Sequence, residues 1–216
     1  MINKNNFSID VFHRASTITT KQESNNKERM THLKDSFSNV DINGMILEFG
    51  VYQGKTINTI AEYFSNDSVW GFDSFEGLPE NWYTKSDKST CKFKKGKWAV
   101  ESLPEVKKNV NLVKGFYKDS VPLWMQNNEL TQIKLMHIDC DLYSSTKEIL
   151  CFLNDYIVPG TVVVFDELYP WSDYSLYETW EEHEFKALKE WITEYDREFL
   201  VLKRSRYQQC SIRITK

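Results

Sequence analysis

The fold is decided by one stretch, Met45-Ile46-Leu47-Glu48-Phe49-Gly50-Val51-Tyr52-Gln53-Gly54, in which an apolar run leads into a turn with two glycines. A short apolar run bounded by turn residues is typical of a buried strand, and the amphipathic segment Lys55 to Phe64 that follows predicts a helix. Glycine lets the backbone of such a turn approach a ligand closely at the N-terminus of the helix. The stretch therefore predicts a strand-turn-helix unit with a ligand site at its turn.

Units of the same kind follow along the chain. Short apolar runs alternate with longer amphipathic segments, which indicates βα repeats and a mainly parallel sheet. Further strands are predicted at Val69–Asp73, Asn111–Lys114, Ile133–Asp139 and Thr161–Asp166, and helices near Leu103–Asn109, Val121–Gln126, Ser145–Tyr156 and Glu181–Tyr195. The last two strands, Phe199–Lys203 and Cys210–Ile214, are too close in sequence for a crossover helix, so we expect an antiparallel hairpin.

Residues 1–43 differ in character from the rest of the chain. They are polar, and Met30, Leu33 and Phe37 recur at helical spacing within a predicted helix over Glu28–Val40. We expect residues 1–43 to form an N-terminal helical cap and residues 44–216 to form one ligand-binding domain. Such a cap can cover the site or pair two subunits, so a homodimer is one reading of it.

Composition limits the classes of partner. The net charge of −4 gives no strong field for nucleic acid or an anionic membrane, so we expect neither as a partner. The polar N-terminus, the lack of a long apolar run and four cysteines without a C-x-x-C pair indicate a cytoplasmic protein with free thiols. The six lysines between Lys85 and Lys97 indicate a solvated loop or a lid that attracts an acidic substrate.

Acidic residues stand at the carboxyl ends of four predicted strands: Glu48, then Asp73, then Asp139-Cys140-Asp141, then Asp166-Glu167. Ligands of open α/β sheets lie beyond these ends. The first turn reads E-x-G-x-x-x-G rather than the G-x-G-x-x-G of dinucleotide sites. Glu48 would repel a pyrophosphate and suits an ammonium group, such as that of S-adenosylmethionine, while Asp73 is placed to accept hydrogen bonds from two ribose hydroxyls.

Five segments in order resemble the macrocin-type sugar O-methyltransferases, over about residues 45 to 190. They are Glu48–Gly54, Gly71–Pro79, Val113–Pro122, Ile138–Thr146 and Pro159–Asp166. The resemblance implies a Rossmann-like class I methyltransferase fold, an α/β fold with a mainly parallel seven-stranded sheet, an antiparallel C-terminal hairpin and helices on both faces.

The same resemblance implies a cofactor site. Glu48 and Gly50 would contact the methionyl end of S-adenosylmethionine and Asp73 the ribose, and Tyr52 and Gly54 of the same turn would also lie at the cofactor. Ser74 and Phe75 would line the adenine edge, with Gly115 and Phe116 nearby, and Asp139 would also lie at the cofactor.

A metal site is implied as well. In metal-dependent members, carboxylates at the positions of Asp139, Asp166 and Glu167 bind Mg²⁺, and three such groups suit octahedral oxygen coordination. The pair here is Asp-Glu, where the sugar enzymes carry Asp-Asp. The other reading of Asp139 and Asp141 is capping of the helix near Ser145, which we favour for Asp141 alone.

Transfer of a methyl group to a hydroxyl needs a base, and the candidates are Asp139, Glu167 and His183. A histidine among acids, as His183 is, is more often a solvated residue, and His137 in its apolar run is more often a core residue. Four aromatic residues between Leu168 and Thr179, namely Tyr169, Trp171, Tyr174 and Tyr177, suit either sugar rings or a packed core or dimer contact.

The sequence thus predicts an S-adenosylmethionine-dependent O-methyltransferase of a sugar or a glycosylated small molecule, with or without Mg²⁺. An acceptor nitrogen or a non-sugar metabolite stays open. A dinucleotide-binding oxidoreductase and a catalytically silent cofactor-binding module are the readings from other classes.

Overall fold

The computed structural model describes residues 1–17, 24–84, 91–169 and 178–216. The helices are α1 (Ile9–His13), α2 (Asn25–Phe37), α3 (Lys55–Tyr63), α4 (Tyr117–Asn127), α5 (Tyr143–Phe152) and α6 (Glu184–Glu194). The strands are β1 (Met45–Phe49), β2 (Val69–Asp73), β3 (Trp82–Tyr83), β4 (Cys91–Phe93), β5 (Val110–Lys114), β6 (Ile133–Ile138), β7 (Val162–Phe165), β8 (Phe199–Arg204) and β9 (Cys210–Ile214). Short 3₁₀ turns cover Asn154–Tyr156 and Trp180–Glu182.

Seven of these strands form one sheet in the order β5-β2-β1-β6-β7-β9-β8. The five strands from β5 to β7 are parallel, whereas β9 runs antiparallel to both β7 and β8. This confirms the predicted seven-stranded sheet and its reversed C-terminal hairpin. The reversal follows from the short link between β8 and β9, which has no room for a crossover.

Helices cover both faces of the sheet, because alternate residues of each strand point to opposite sides. In β1, Leu47 and Phe49 pack into a core that α1, α4, α5 and α6 cover, whereas Ile46 packs into a second core under α2 and α3. The two cores hold the sheet between layers of helices. The carboxyl ends of the parallel strands are thereby left open at one edge.

The N-terminal residues are built into both cores. Phe12 of α1 is fully buried in the first core, and Leu33 and Phe37 of α2 are buried in the second. Ile2 also pairs with Phe199 at the edge of the sheet. The cap therefore packs on the sheet itself, and the division at residue 43 stays a proposal.

One predicted helix is wrong. Residues 103–109 form an irregular segment that ends in a turn before β5, because the side chain of Asn58 on α3 binds its backbone. Asn58 Oδ1 accepts from the Lys107 N–H at 2.8 Å, and its Nδ2 donates to the Glu105 carbonyl at 3.0 Å. Pro104 also disfavours helical backbone in the residue before it.

The loop regions differ from the sequence interpretation in two further ways. Trp82–Tyr83 and Cys91–Phe93 form a small antiparallel hairpin, where the sequence predicted only a loop. Of the aromatic and lysine-rich segments, Lys85, Lys88, Trp171, Tyr174 and Tyr177 lie outside the described residues.

Cys91, Cys140, Cys151 and Cys210 are all free, as predicted, and two of them, Cys140 and Cys210, are buried. Among the described residues, no helix combines the length and the apolar character that crossing a membrane requires.

Candidate active site

A cleft of about 710 Å³ opens at the carboxyl ends of β1, β2 and β6. This volume lies within the range of small-molecule sites, roughly 300–1,000 Å³. Residues from α2, from the turn after β1, from the loops after β2 and β6, and from the start of α4 line it. Of the predicted site residues, those that line the cleft are Gly50, Tyr52, Asp73, Ser74, Phe116, Asp139 and Glu167.

The turn after β1 is tied to Asp73 at the end of β2. Asp73 Oδ2 accepts from the backbone N–H groups of Val51 and Tyr52 at 2.9 and 2.8 Å, and Oδ1 accepts from the Phe75 N–H at 2.7 Å. Gly50 has φ +97°, and a Cβ there would meet the carbonyl oxygen of Asp139 at 1.8 Å. Glycine is thus required where the turn passes the end of β6.

The predicted adenine side is only partly at the surface of the cleft. Ser74 lines it and donates its hydroxyl to the Gly77 carbonyl at 2.9 Å. Phe116, the residue before α4, lines it too. Phe75 is 4% exposed, and Phe75, Gly115 and Gly54 shape the loops behind the surface instead of lining the cleft.

Glu48 is fully buried and is not among the described residues that line the cleft. It pairs with His137, its neighbour on β6, whose Nδ1 lies 2.8 Å from Glu48 Oε1. The other carboxylate oxygen, Oε2, has no hydrogen-bond partner among the described residues. His137 is buried as expected, but it links two acids rather than merely filling the core.

A row of alternating charges continues from this pair toward the cleft. Nε2 of His137 lies 3.9 Å from Asp166 Oδ1, and Arg29 Nε donates to the same oxygen at 2.7 Å. Arg29 Nη2 then donates to Asp139 Oδ2. The order is therefore Glu48, His137, Asp166, Arg29 and Asp139, with a cation between each two acids.

The row shifts the ionisation of its members. Burial lowers the pKa of His137, but the neighbouring carboxylates of Asp166 and Glu48 outweigh it and raise that pKa to about 10. Burial opposes ionisation of Asp166, yet Arg29 and His137 hold the pKa of that carboxyl below its usual range. Burial raises the pKa of Asp139 to about 7 against the opposing effect of Arg29. His137 is thus a cation at neutral pH, and Asp139 can exchange a proton there.

The three predicted metal ligands do not all converge. Single ligand atoms of His137, Asp139 and Asp166 lie within 4.8 Å of one another, and Glu167 is not in this group. Glu167 Oε1 accepts from Gln208 Nε2 at 3.1 Å, and burial, reinforced by Asp166, raises the pKa of this carboxyl well above its usual value. The acids suit a divalent ion in chemical type, but Arg29 bridges Asp139 and Asp166 in its place.

His183 lies away from these groups. It precedes α6, its Nε2 is 3.4 Å from Thr179 Oγ1, and its ring packs edge-on against Trp82. It is not among the described residues that line the cleft. Tyr169 likewise packs in the core against Phe12 and Trp180, so its ring does not face the cleft.

Asp141 does not cap α5. No side-chain hydrogen bond caps that helix, and Asp141 lines the cleft with φ +63°. Burial, with Asp139 next in effect, raises the pKa of its carboxyl well above the usual value. The capping interpretation that we favoured for Asp141 is therefore wrong.

Arg29, Lys118 and Trp98 line the cleft but were not predicted from the sequence, whereas Lys95 and Lys97 were predicted only as part of a lysine-rich loop or lid. Arg29 lies on α2 and not at the carboxyl end of a strand, where ligand-binding residues are expected. The one feature of the sequence that indicates it is its helical spacing from the apolar Leu33. At the outer part of the cleft, Lys95, Lys97 and Lys118 lie with Trp98. Lys95 and Lys97 belong to the lysine-rich loop, so part of that loop does reach the cleft.

Comparison with known proteins gives a family and a set of similar folds. The sequence model of the macrocin-O-methyltransferase (TylF) family matches residues 14–198. A search of curated proteins gives no significant match. The crystal structure of CalS11, a calicheamicin methyltransferase, has a TM-score of 0.69 at 24% identity, covering 88% of this chain and 80% of that one.

Two further structures have the same architecture. The apo structure of CalS11, a TDP-rhamnose 3′-O-methyltransferase of calicheamicin biosynthesis, has a TM-score of 0.61 at 23% identity, over 88% of this chain and 80% of that one. The O-methyltransferase NovP has a TM-score of 0.60 at 19% identity, over 88% of this chain and 79% of that one. At these identities the likeness concerns the fold.

Proposed function

Because the chain belongs to the macrocin O-methyltransferase family, we propose that it transfers the methyl group of S-adenosylmethionine to a hydroxyl of a sugar or a glycosylated small molecule. Family membership makes the protein an S-adenosylmethionine-dependent methyltransferase, in agreement with the resemblance found in the sequence. One observation carries the assignment of the site: the cleft brings the glycine turn, Asp73 and Asp139 to the same edge of the sheet.

The donor set fits this cofactor. A carboxylate has about four acceptor positions, and Asp73 uses three on backbone N–H groups, so we assign it one ribose hydroxyl rather than two. Oε2 of Glu48, which lies behind the surface of the cleft and has no hydrogen-bond partner among the described residues, suits the ammonium end. Ser74, Phe116 and Tyr52 are assigned to the nucleoside. When bound, the cofactor supplies a methyl group on a sulfonium centre, which is an activated leaving group.

Asp139 is the base that we propose for the acceptor hydroxyl. Its side chain is 19% exposed, lines the cleft, and keeps a fixed orientation through Arg29. Removal of the hydroxyl proton by such a base contributes roughly 10²–10⁴-fold. Glu167 is buried and bound to Gln208, so we assign it a neutral, hydrogen-bonding role beside the acceptor.

For the metal, the donors that we propose are Asp139 and Asp166, joined by Glu167 if its carboxyl turns from Gln208. A divalent cation there would lower the pKa of the acceptor hydroxyl and orient it. These donors become available together only when Arg29 leaves the space between them.

The acceptor is expected to carry negative charge. Lys95, Lys97 and Lys118 are exposed and line the cleft, together with Trp98, whose ring packs against Phe93. CalS11, which has the same fold, is a TDP-rhamnose methyltransferase. A nucleoside diphosphate sugar or another anionic glycoside is therefore the acceptor class that we place first, with amino sugars and non-sugar metabolites as alternatives.

The experiment is a methyl-transfer assay with the purified protein, S-adenosylmethionine and a panel of nucleotide sugars, glycosides, amino sugars and phenols. We expect a product heavier by one methyl group, by mass spectrometry, with a sugar acceptor. Asp139→Asn should reduce turnover at least 100-fold and leave cofactor affinity within threefold, whereas Asp119→Asn on the exposed side of α4 should leave both unchanged. Tight cofactor binding without turnover on any acceptor would favour a silent binding module.

The other expectations from the sequence stay proposals. They are a location in the cytoplasm, a homodimer, and no nucleic-acid or membrane partner.

A further inference from the structure

The centre of the proposed site holds a guanidinium where a divalent cation would have to lie. Arg29 donates from Nε to Asp166 Oδ1 and from Nη2 to Asp139 Oδ2, so one planar group joins both acids. An oxygen of each acid lies within 4.8 Å of the other. An ion that bound both acids would lie between the two carboxylates that the guanidinium already joins, and two cations repel each other there.

The backbone that carries Arg29 is firmly held. The preceding residue, Glu28, is fully buried, and its Oε2 accepts from the Arg206 N–H at 2.9 Å. His32, one turn later, is fully buried as well, with Nε2 at 3.3 Å from the Lys203 carbonyl oxygen. Helix α2 is therefore fixed on the sheet, and the guanidinium can be displaced only by rotation of the Arg29 side chain.

The Arg29 side chain can rotate toward the cleft. It is 28% exposed and lines the cleft together with Asn26 and Met30 of the same helix face. Rotation of Arg29 toward the cleft would expose Asp139 and Asp166 to an ion without unfolding any element. The arginine and a divalent ion can thus alternate at one place.

We propose that Arg29 is the resident cation of this centre and that it and a divalent ion bind Asp139 and Asp166 in competition. The inference rests on the proposed function only in taking these two acids as the reacting centre. Arg29 then determines the concentration of divalent ion at which the enzyme changes from an arginine-held to a metal-held state. A guanidinium supplies charge and two directed hydrogen bonds, but it offers no coordination position to an acceptor hydroxyl.

The test is Mn²⁺ binding, measured by electron paramagnetic resonance on chelator-treated protein at pH 8 without substrates. Arg29→Met removes the charge and keeps an unbranched apolar side chain. We expect it to bind Mn²⁺ at least tenfold more tightly than the wild type. Lys34→Met makes the same charge change at an exposed position of α2 and should match the wild type. Equal affinity of Arg29→Met and the wild type, or no binding by folded Arg29→Met, would overturn the proposal.

A second variant covers the case in which Arg29→Met does not fold. Arg29→Lys keeps the positive charge but has no planar fork to bridge two carboxylates. We expect its Mn²⁺ affinity to exceed that of the wild type at least threefold, and equal or weaker binding would contradict the competition. Calorimetry with S-adenosylhomocysteine on the same samples tests the proposed function separately. If the wild type does not bind S-adenosylhomocysteine, the proposed methyltransferase site is refuted, but the competition between Arg29 and Mn²⁺ is not.

Discussion

Asp73→Asn is expected to loosen the turn that follows β1, although it only replaces one carboxylate oxygen with an NH₂ group. Asp73 joins two loops: one oxygen holds the N–H groups of Val51 and Tyr52, and the other holds that of Phe75. Asparagine has one acceptor oxygen and one NH₂ group. Whichever way the amide turns, an NH₂ donor faces a backbone N–H donor on one side.

The expected cost follows from these three bonds. A hydrogen bond to a charged group contributes roughly 1.5–3 kcal/mol, and a neutral one about 1 kcal/mol. Keeping the Val51 and Tyr52 bonds in neutral form and losing the Phe75 bond gives, if the three losses add, a decrease of about 2.5–7 kcal/mol in the free energy of unfolding. The loosened turn must also be ordered on binding, and each tenfold in affinity corresponds to about 1.4 kcal/mol. We expect S-adenosylhomocysteine to bind at least tenfold more weakly.

The assay combines urea unfolding with calorimetric titration at pH 7.5. Asp67→Asn is the matched control, because it makes the same change just before β2, where Asp67 pairs with Lys134 at 2.7 Å away from the cleft. Lys134 is only 9% exposed, so Asp67→Asn leaves a buried charge without its partner and lowers stability by itself. The control therefore serves the calorimetric titration, in which its cofactor affinity should not change. If Asp73→Asn binds the cofactor within twofold of the wild type and unfolds within 1 kcal/mol of it, the reasoning is refuted.

Two further predictions concern buried charges. Burial lowers the pKa of His32 to about 4. Between pH 6.5 and pH 4, His32 therefore binds a proton in the unfolded chain but not in the folded protein. The free energy of unfolding should fall by up to about 3 kcal/mol as the pH drops through this window. His32→Gln can still donate to the Lys203 carbonyl, and its free energy of unfolding in urea should not show this decrease between pH 7.5 and pH 4.5. If the variant and the wild type show the same pH dependence, His32 is not its source. Glu48→Gln removes the nearer of the two buried carboxylates that face the His137 cation and should reduce the free energy of unfolding by about 3 kcal/mol in urea; wild-type stability would show that the Glu48–His137 pair is not ionised.

Much of the site was predicted from the sequence because its position depends on local patterns. The apolar runs that end in Glu48, Asp73, Asp139 and Asp166 mark strand ends, and parallel strands bring such ends to one edge of a sheet. The glycine spacing after Glu48 differs from that of a pyrophosphate loop, and from it we predict an ammonium-bearing ligand. These conclusions need only the order of strands and the direction of the chain.

The pairing of side chains could not be predicted in this way. Glu48 meets His137 because the register of β1 against β6 places them side by side, and no local pattern encodes that register. The irregular segment 103–109 depends on Asn58, which lies more than forty residues earlier. Propensity alone favoured a helix there, and a distant side chain overrode it.

The sequence by itself determined the fold class, the edge of the sheet at which the cleft opens, and the acids that stand there. Only the tertiary structure decided which charge neutralises which, since Arg29 reaches Asp139 and Asp166 from a helix that precedes them by more than a hundred residues. The physical reason is the distance along the chain over which each kind of interaction acts. Backbone patterns act over a few neighbouring residues, whereas a buried charge is stabilised by whatever opposite charge the folded chain brings within a few ångströms.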